Sequence, residues 1–255
     1  MSDAPEFRLK HAPIIEAIVD IHCDLPPGLD RAAFEAAART AFGKAYSGGI
    51  QAVQVQEYDV EMKPDTPPKP GIIRQRIQAF RFLSADKRQI VQPRFDGFSF
   101  NRLAPYSSLD DYLPEIRRCW DLFLEFAKPV VIRRVGLRYI NRIVVPFVNG
   151  QLHLADYLRC APHVPMSDGY SVALTGFMHQ HQMVHAETGN LINVILAAQP
   201  IETAGLPVIL DLDAFKLTGL PPHAWDEVLG LLCSLRRLKN HVFRETLTPK
   251  CLTLF

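Results

Sequence analysis

Three arginines, Arg134, Arg138 and Arg142, recur at every fourth position of a strand-like run from Val131 to Pro146. Side chains on a strand alternate between faces, so the three guanidinium groups share one row, separated by Gly136 and Ile140. Each guanidinium is a planar fork of donors suited to a carboxylate or a phosphate. A charge on a buried face has to be paired, because burying it alone costs several kcal/mol. Three readings are open: an internal ion-pair ladder, an anion-binding groove, or a partner interface. For the ladder, the expected pairing is Arg138 and Arg142 against Glu16 and Asp20, which share one face of an earlier strand.

A second group is His179, His181 and His185, with Asp211 and Asp213 on a later strand. An H-x-H run with carboxylates beside it can hold a divalent metal such as zinc or iron, and so support a metal-dependent hydrolase. That chemistry requires the two strands to be neighbours. Against it, Gln180 and Gln182 interleave with the histidines, as on a solvated strand edge, and no H-E-x-x-H occurs. Asp211 and Asp213 suit general acid–base work only within a cleft. A third group, Phe95, Phe98 and Phe100 beside Arg94 and Arg102, could stack nucleic-acid bases, although core packing is the ordinary role of such phenylalanines. Neither a P-loop nor a G-x-G-x-x-G run is present, so no nucleotide cofactor is expected.

The elements that must position these residues follow from periodicity and turn chemistry. Ile14–Cys23 alternates as a strand, and Asp30 caps a helix that runs to Phe42 and ends at Gly43. Val53–Met62 is of β type, and Pro64–Pro70 reads as an exposed loop. Ile72–Leu83 and Gln89–Asn101 read as two strands, followed by a helix from Ser108 to about Ala127. The arginine strand comes next, then a turn at Val148–Gly150 and a short helix at Leu152–Leu158. Strands are expected at Tyr170–Val184, Leu191–Ala198 and Pro207–Lys216, and a last helix runs from about Pro222 to just before Pro249.

Both parts of the chain, 1–129 and 130–255, thus read strand, helix, three strands, helix. The expected fold is α+β: an internally duplicated βαβββα module with mainly antiparallel sheets, helices packed against them, and the two halves in one unit. Aligning Pro26 with Pro146 keeps side-chain parity, so Glu16 and Asp20 fall on the face equivalent to that of Arg138 and Arg142.

Several segments occur together in order: Pro13–Ile21, Phe80–Ser84, Phe98–Leu103 with Pro105 and Tyr106, Gly136–Ile143, Leu210–Asp213 and His241–Thr246. With them the chain resembles a sporadically distributed family of uncharacterised bacterial proteins, most specifically at Gly-Leu-Arg-Tyr-Ile-Asn-Arg from Gly136 to Arg142. The resemblance implies a bacterial origin and carries no activity, cofactor or catalytic residue.

The net charge of +1 gives no global attraction to nucleic acid or membranes. It is unevenly spread: residues 69–142 hold 15 Lys and Arg against 7 Asp and Glu, a surplus of eight. The five cysteines are scattered without C-x-x-C spacing, as expected of thiols in a reducing cytosol. The first residues lack the apolar stretch of a signal peptide, and no run has the length of a membrane span. The expectation is therefore a cytoplasmic, non-enzymatic protein that binds a small anionic ligand or a protein partner between its halves. A homodimer is a further expectation. The alternatives are the metal-dependent hydrolase and a nucleic-acid-associated accessory protein.

Overall fold

A computed structural model of the chain describes residues 9–61, 69–162 and 176–255, with side chains from 56 to 76 left aside. Among the described residues nine strands form a single antiparallel sheet. In chain order they are β1 (Ile14–Asp24), β2 (Gly49–Glu61), β3 (Lys69–Leu83), β4 (Gln89–Arg94), β5 (Gly97–Leu103), β6 (Val131–Val145), β7 (Met178–Val184), β8 (Leu191–Ala198) and β9 (Leu206–Leu220). Across the sheet the order is β2-β3-β4-β5-β1-β6-β9-β8-β7, so the chain's two parts meet where β1 pairs with β6. The helices are α1 (Arg31–Phe42), α2 (Leu109–Ala127), α3 (Trp225–Thr246) and the short α4 (Pro249–Leu252).

Local chemistry accounts for the helix boundaries. Asp30 accepts from the backbone N–H groups of Ala32 and Ala33, and Ser108 caps α2 through Asp110 N. Lys128 ends α2 in the left-handed conformation at φ 48°, ahead of Pro129.

Parity within the strands decides what each face does. Ala17, Val19 and Ile21 of β1, Phe98 and Phe100 of β5, Val135, Leu137 and Ile143 of β6, and Leu210 and Leu212 of β9 are all buried. They meet Ile116, Trp120 and Phe123 of α2 and Val228, Leu232 and Leu235 of α3 in one apolar core. Fully burying each such side chain contributes roughly 1.5–3 kcal/mol. Phe98 illustrates the packing, with its ring 5.7 Å from those of both Trp120 and Phe123. The alternate residues of the same strands are Asp20, His22, Ser99, Asn101, Arg134, Arg138, Asp211 and Asp213. They point to the other face, against which none of the described helices packs.

Two expectations about elements need correction, and a third lies partly outside the described residues. The run Gln89–Asn101 is two strands, β4 and β5, turning at Phe95–Asp96 with Arg94 opposite Gly97. Gly97 sits at φ 145°, and a Cβ there would lie 2.1 Å from Ile21 O, so the turn and the close approach to β1 both demand glycine. The apolar positions shift from odd (Val91, Pro93, Phe95) to even (Phe98, Phe100) across the turn, a change of parity that reading one continuous strand passes over. The first part of the chain therefore has five strands and departs from βαβββα. The helix expected at Leu152–Leu158 is a single 3-10 turn, Leu154–Asp156. The predicted strand from Tyr170 begins at Met178 among the described residues, and 170–175 lie outside them, as does most of the proline-rich loop.

Candidate functional site: a charged basin on the open sheet face

The arginine row is an ion-pair ladder, with partners set by strand register. Asp20 pairs in register with Gly136, Ile18 with Arg138 and His22 with Arg134. Asp20 thus lies level with the gap between two arginines. Arg134 fills that gap by folding over Gly136, where a Cβ would stand 2.4 Å from its Nη1. From there Nη1 donates to Asp20 Oδ2 at 2.6 Å, and Nη2 donates to both Asp213 oxygens at 2.7 Å. The guanidinium carbon also stacks 4.3 Å above the Phe215 ring centre.

Arg138 turns the other way. Its Nε donates to Asp211 Oδ1 at 2.9 Å and its Nη2 to Oδ2, a two-pronged pair with a buried carboxylate. Arg142 binds Gln199 and Glu202 in the approach to β9. The pairing of Arg138 and Arg142 with Glu16 and Asp20 is therefore corrected: Arg134 takes Asp20, and β9 and its approach supply the other carboxylates. Glu16 instead accepts from Asn101 Nδ2 at 2.6 Å.

Asp20 is the focal anion of this face. Its Oδ1 lies 2.6 Å from Arg94 Nη1, and its Oδ2 is shared between Arg134 and His22 Nε2, the latter at 2.9 Å. Burial by itself would raise its pKa. The His22 hydrogen bond and the Arg94 and Arg134 charges outweigh burial and hold it at about 2. His22 has carboxylates at both ring nitrogens, since its Nδ1 is 3.9 Å from Asp96.

Around Asp20 the sheet surface forms a basin of about 350 Å3. Arg81, Gln92 and Arg94 line one side, Ser99 and Asn101 the floor, and Arg134, Arg138 and Asp213 the other side. Four arginines face two aspartates in this lining, and the buried Asp211, outside the lining, pairs with Arg138. Arg94 is the unusual member. Its side chain is only 13 % exposed, yet Nε and Nη2 are buried and make no hydrogen bond among the described residues. Asp96 Oδ1 lies 3.2 Å from Nε but is poorly aligned with it. Buried donors without an acceptor cost about 1–3 kcal/mol each, more when charged. Arg81 donates Nε to Gln92 Oε1 at 3.0 Å and leaves its charge at the mouth.

Arg94, Arg81, Gln92, Ser99 and Asn101 were missed as a group in the sequence. The signal was the surplus of positive charge in residues 69–142, and the hidden turn at Phe95–Asp96 obscured which face Arg94 takes.

The remaining candidates are not gathered here. His181 pairs in register with Val194 and Val194 with Leu212, so His179 and His181 take the helix-side face while Asp211 and Asp213 take the opposite one. β8 also separates their two strands. His185 contacts Thr188 in the β7–β8 turn. Among the described residues no group of three or more His, Cys, Asp or Glu is placed to hold a metal. Phe98 and Phe100 are buried in the core and offer no stacking surface, and Phe95 packs on Phe34 with Arg31 over its ring.

A smaller cavity of about 160 Å3 lies on the helical side, lined by Tyr106, Tyr139, Asn141, Arg236 and Lys239 among others. Several of its polar groups are engaged with one another or with neighbours. The Tyr106 and Tyr139 hydroxyls are 2.6 Å apart, Arg236 binds Asp110 at 2.9 Å, and the Lys239 ammonium sits 3.8 Å over the Tyr139 ring.

No protein-family model matches the chain, and no curated protein matches it. None of the helices among the described residues is long and apolar enough to cross a membrane.

Proposed function

We propose that the protein binds a small anionic ligand in the basin around Asp20, without catalysing a reaction on it. The observation that carries this reading is Arg94, which lines a basic, open cavity while its buried Nε and Nη2 make no hydrogen bond among the described residues. A carboxylate or phosphate entering the basin would supply the missing acceptors once the Arg94 side chain shifts toward it, and would lie within reach of Arg81. The ladder and the basin are complementary in this reading. Asp20 and Asp213 hold Arg134 rigid, so the cations that remain for a ligand are positioned before it arrives.

The same reading treats the fold as a duplication. Outward from the central β1–β6 pair the strands run β5-β4-β3-β2 on one side and β9-β8-β7 on the other, so two related halves would match strand for strand except for β2, which has no counterpart. The ligand then sits near their junction, a common place for binding sites.

Native mass spectrometry of the untagged protein as purified tests the proposal. A bound small anion, released on denaturation and absent from an Arg94→Gln variant that still folds, is the expected result. A wild-type protein free of ligand that also gains no adduct from added phosphate or succinate would overturn it.

A further inference from the structure

The seven residues of β7, Met178-His-Gln-His-Gln-Met-Val184, form the outermost strand of the sheet beyond β8. Among the described residues nothing pairs with its outer side. Sheet edges are normally guarded by lysine, proline, a bulge or a covering element. β7 has none of the residue-level guards. It contains no Lys, Arg, Asp, Glu or Pro and pairs with β8 in unbroken register. Six of its seven residues are exposed, Met178 to 73 % and Val184 to 64 %. The sequence of the other edge strand, β2, carries Glu57, Asp59 and Glu61.

The order of residues in β7 is also nearly symmetric about His181. Antiparallel pairing of two copies around a twofold axis at His181 would set Gln180 against Gln182 of the second copy and Met178 against Val184. On the other face it would set His179 against Met183 and His181 against its own counterpart. Amide meets amide, apolar meets apolar, and no charged side chains oppose each other. An isologous contact needs this self-complementarity. On the helical face β7 borders an apolar groove of about 480 Å3, lined by His181, Met183, Leu238, His241 and Val242. The groove would run on across the axis and add apolar contact.

We infer that β7 is a homodimerisation edge, at which a second copy of this chain continues the sheet through antiparallel pairing centred on His181. A seven-residue ladder is smaller than the roughly 1,600 Å2 interface of a tight complex, so the association is of micromolar strength or weaker.

Sedimentation velocity and site-directed crosslinking of the full chain test this together. The wild type should show a concentration-dependent dimer at about 100 µM, and His181→Glu, which sets two carboxylates face to face, should be monomeric. Directly opposed residues have Cα atoms about 4.5–5.5 Å apart, within disulfide range. Under oxidised glutathione His181→Cys should therefore crosslink to itself, whereas His179→Cys, which faces Met183, should not. A monomeric wild type overturns the inference. So does a dimer that crosslinks no better at position 181 than at 179, or one that His181→Glu leaves intact.

Discussion

Arg134→Ala is expected to lower the unfolding free energy by roughly 3–5 kcal/mol, the largest loss from any single change on the open sheet face. Arg134 is 17 % exposed, and it is the only residue hydrogen-bonded to Asp213 among the described residues. Its removal leaves Asp213 uncompensated, strips one of two arginine contacts from Asp20, and uncovers Phe215. The cost thus comes mainly from the stranded carboxylate, with lost packing added. Arg138→Ala should cost less, because that side chain is 42 % exposed and water can take over part of its role at Asp211. Urea unfolding followed by circular dichroism measures both. Pairing Arg134→Met with Asp213→Asn should recover a large part of the loss, since it removes both charges together. A loss below about 1 kcal/mol for Arg134→Ala would show that the ladder is a solvated surface feature.

Asp20→Asn should destabilise the protein in a strongly pH-dependent way. The folded-state pKa of Asp20 is about 2, against about 3.9 in an unfolded chain. A depressed carboxylate contributes stability that is complete above the unfolded value and is lost as the pH falls through the folded value. At neutral pH the contribution is roughly 2–3 kcal/mol, and the variant should be less stable by at least that much, since Arg94 and Arg134 also lose their shared anion. Between about pH 4 and pH 2 the two proteins should converge, as wild-type Asp20 becomes protonated. Comparing them at each pH cancels the titration of carboxylates that share no partner with Asp20. A stability difference that stays constant from pH 7 to about pH 2 would remove Asp20 from the centre of the charge network.

Much of the fold was legible because the two periodicities are clean. Asp30 and Ser108 are side-chain caps that announce α1 and α2, and the alternation from Val131 to Val145 marks β6 over its whole length. That the arginine row meets carboxylates was also legible, since three buried or half-buried guanidinium groups have to be paired. Which carboxylates was not. Partner choice depends on the register between strands far apart in sequence, and on Arg134 bending into the space that Gly136 leaves open. The glycine was visible in the sequence as a break in the row. Its meaning appears only when Asp20 is seen across from it. The grouping of His179 and His181 with Asp211 and Asp213 failed for a related reason. Parity within each strand was read correctly, but the faces of two strands can be compared only when the strand between them and its register are known. Arg94 was hidden by the Phe95–Asp96 turn, whose Asp-Gly step at 96–97 was the available signal.

The account rests most heavily on Arg94 as the anchor of an anion site. NMR spectra of the arginine Nε–Hε groups, recorded while inorganic phosphate and succinate are titrated separately into ligand-free protein, test that most directly. The account predicts a saturable shift of the Arg94 signal with at least one of the two anions. Arg81 should respond alongside it, and Arg39 and Arg133, whose carboxylate partners lie outside the basin, should stay unmoved. Phosphate acting alone would mark a phosphoryl group as the ligand's anion, and succinate acting alone a carboxylate. An Arg94 signal unmoved by either anion, or moving only in step with Arg39 and Arg133, would contradict the central claim.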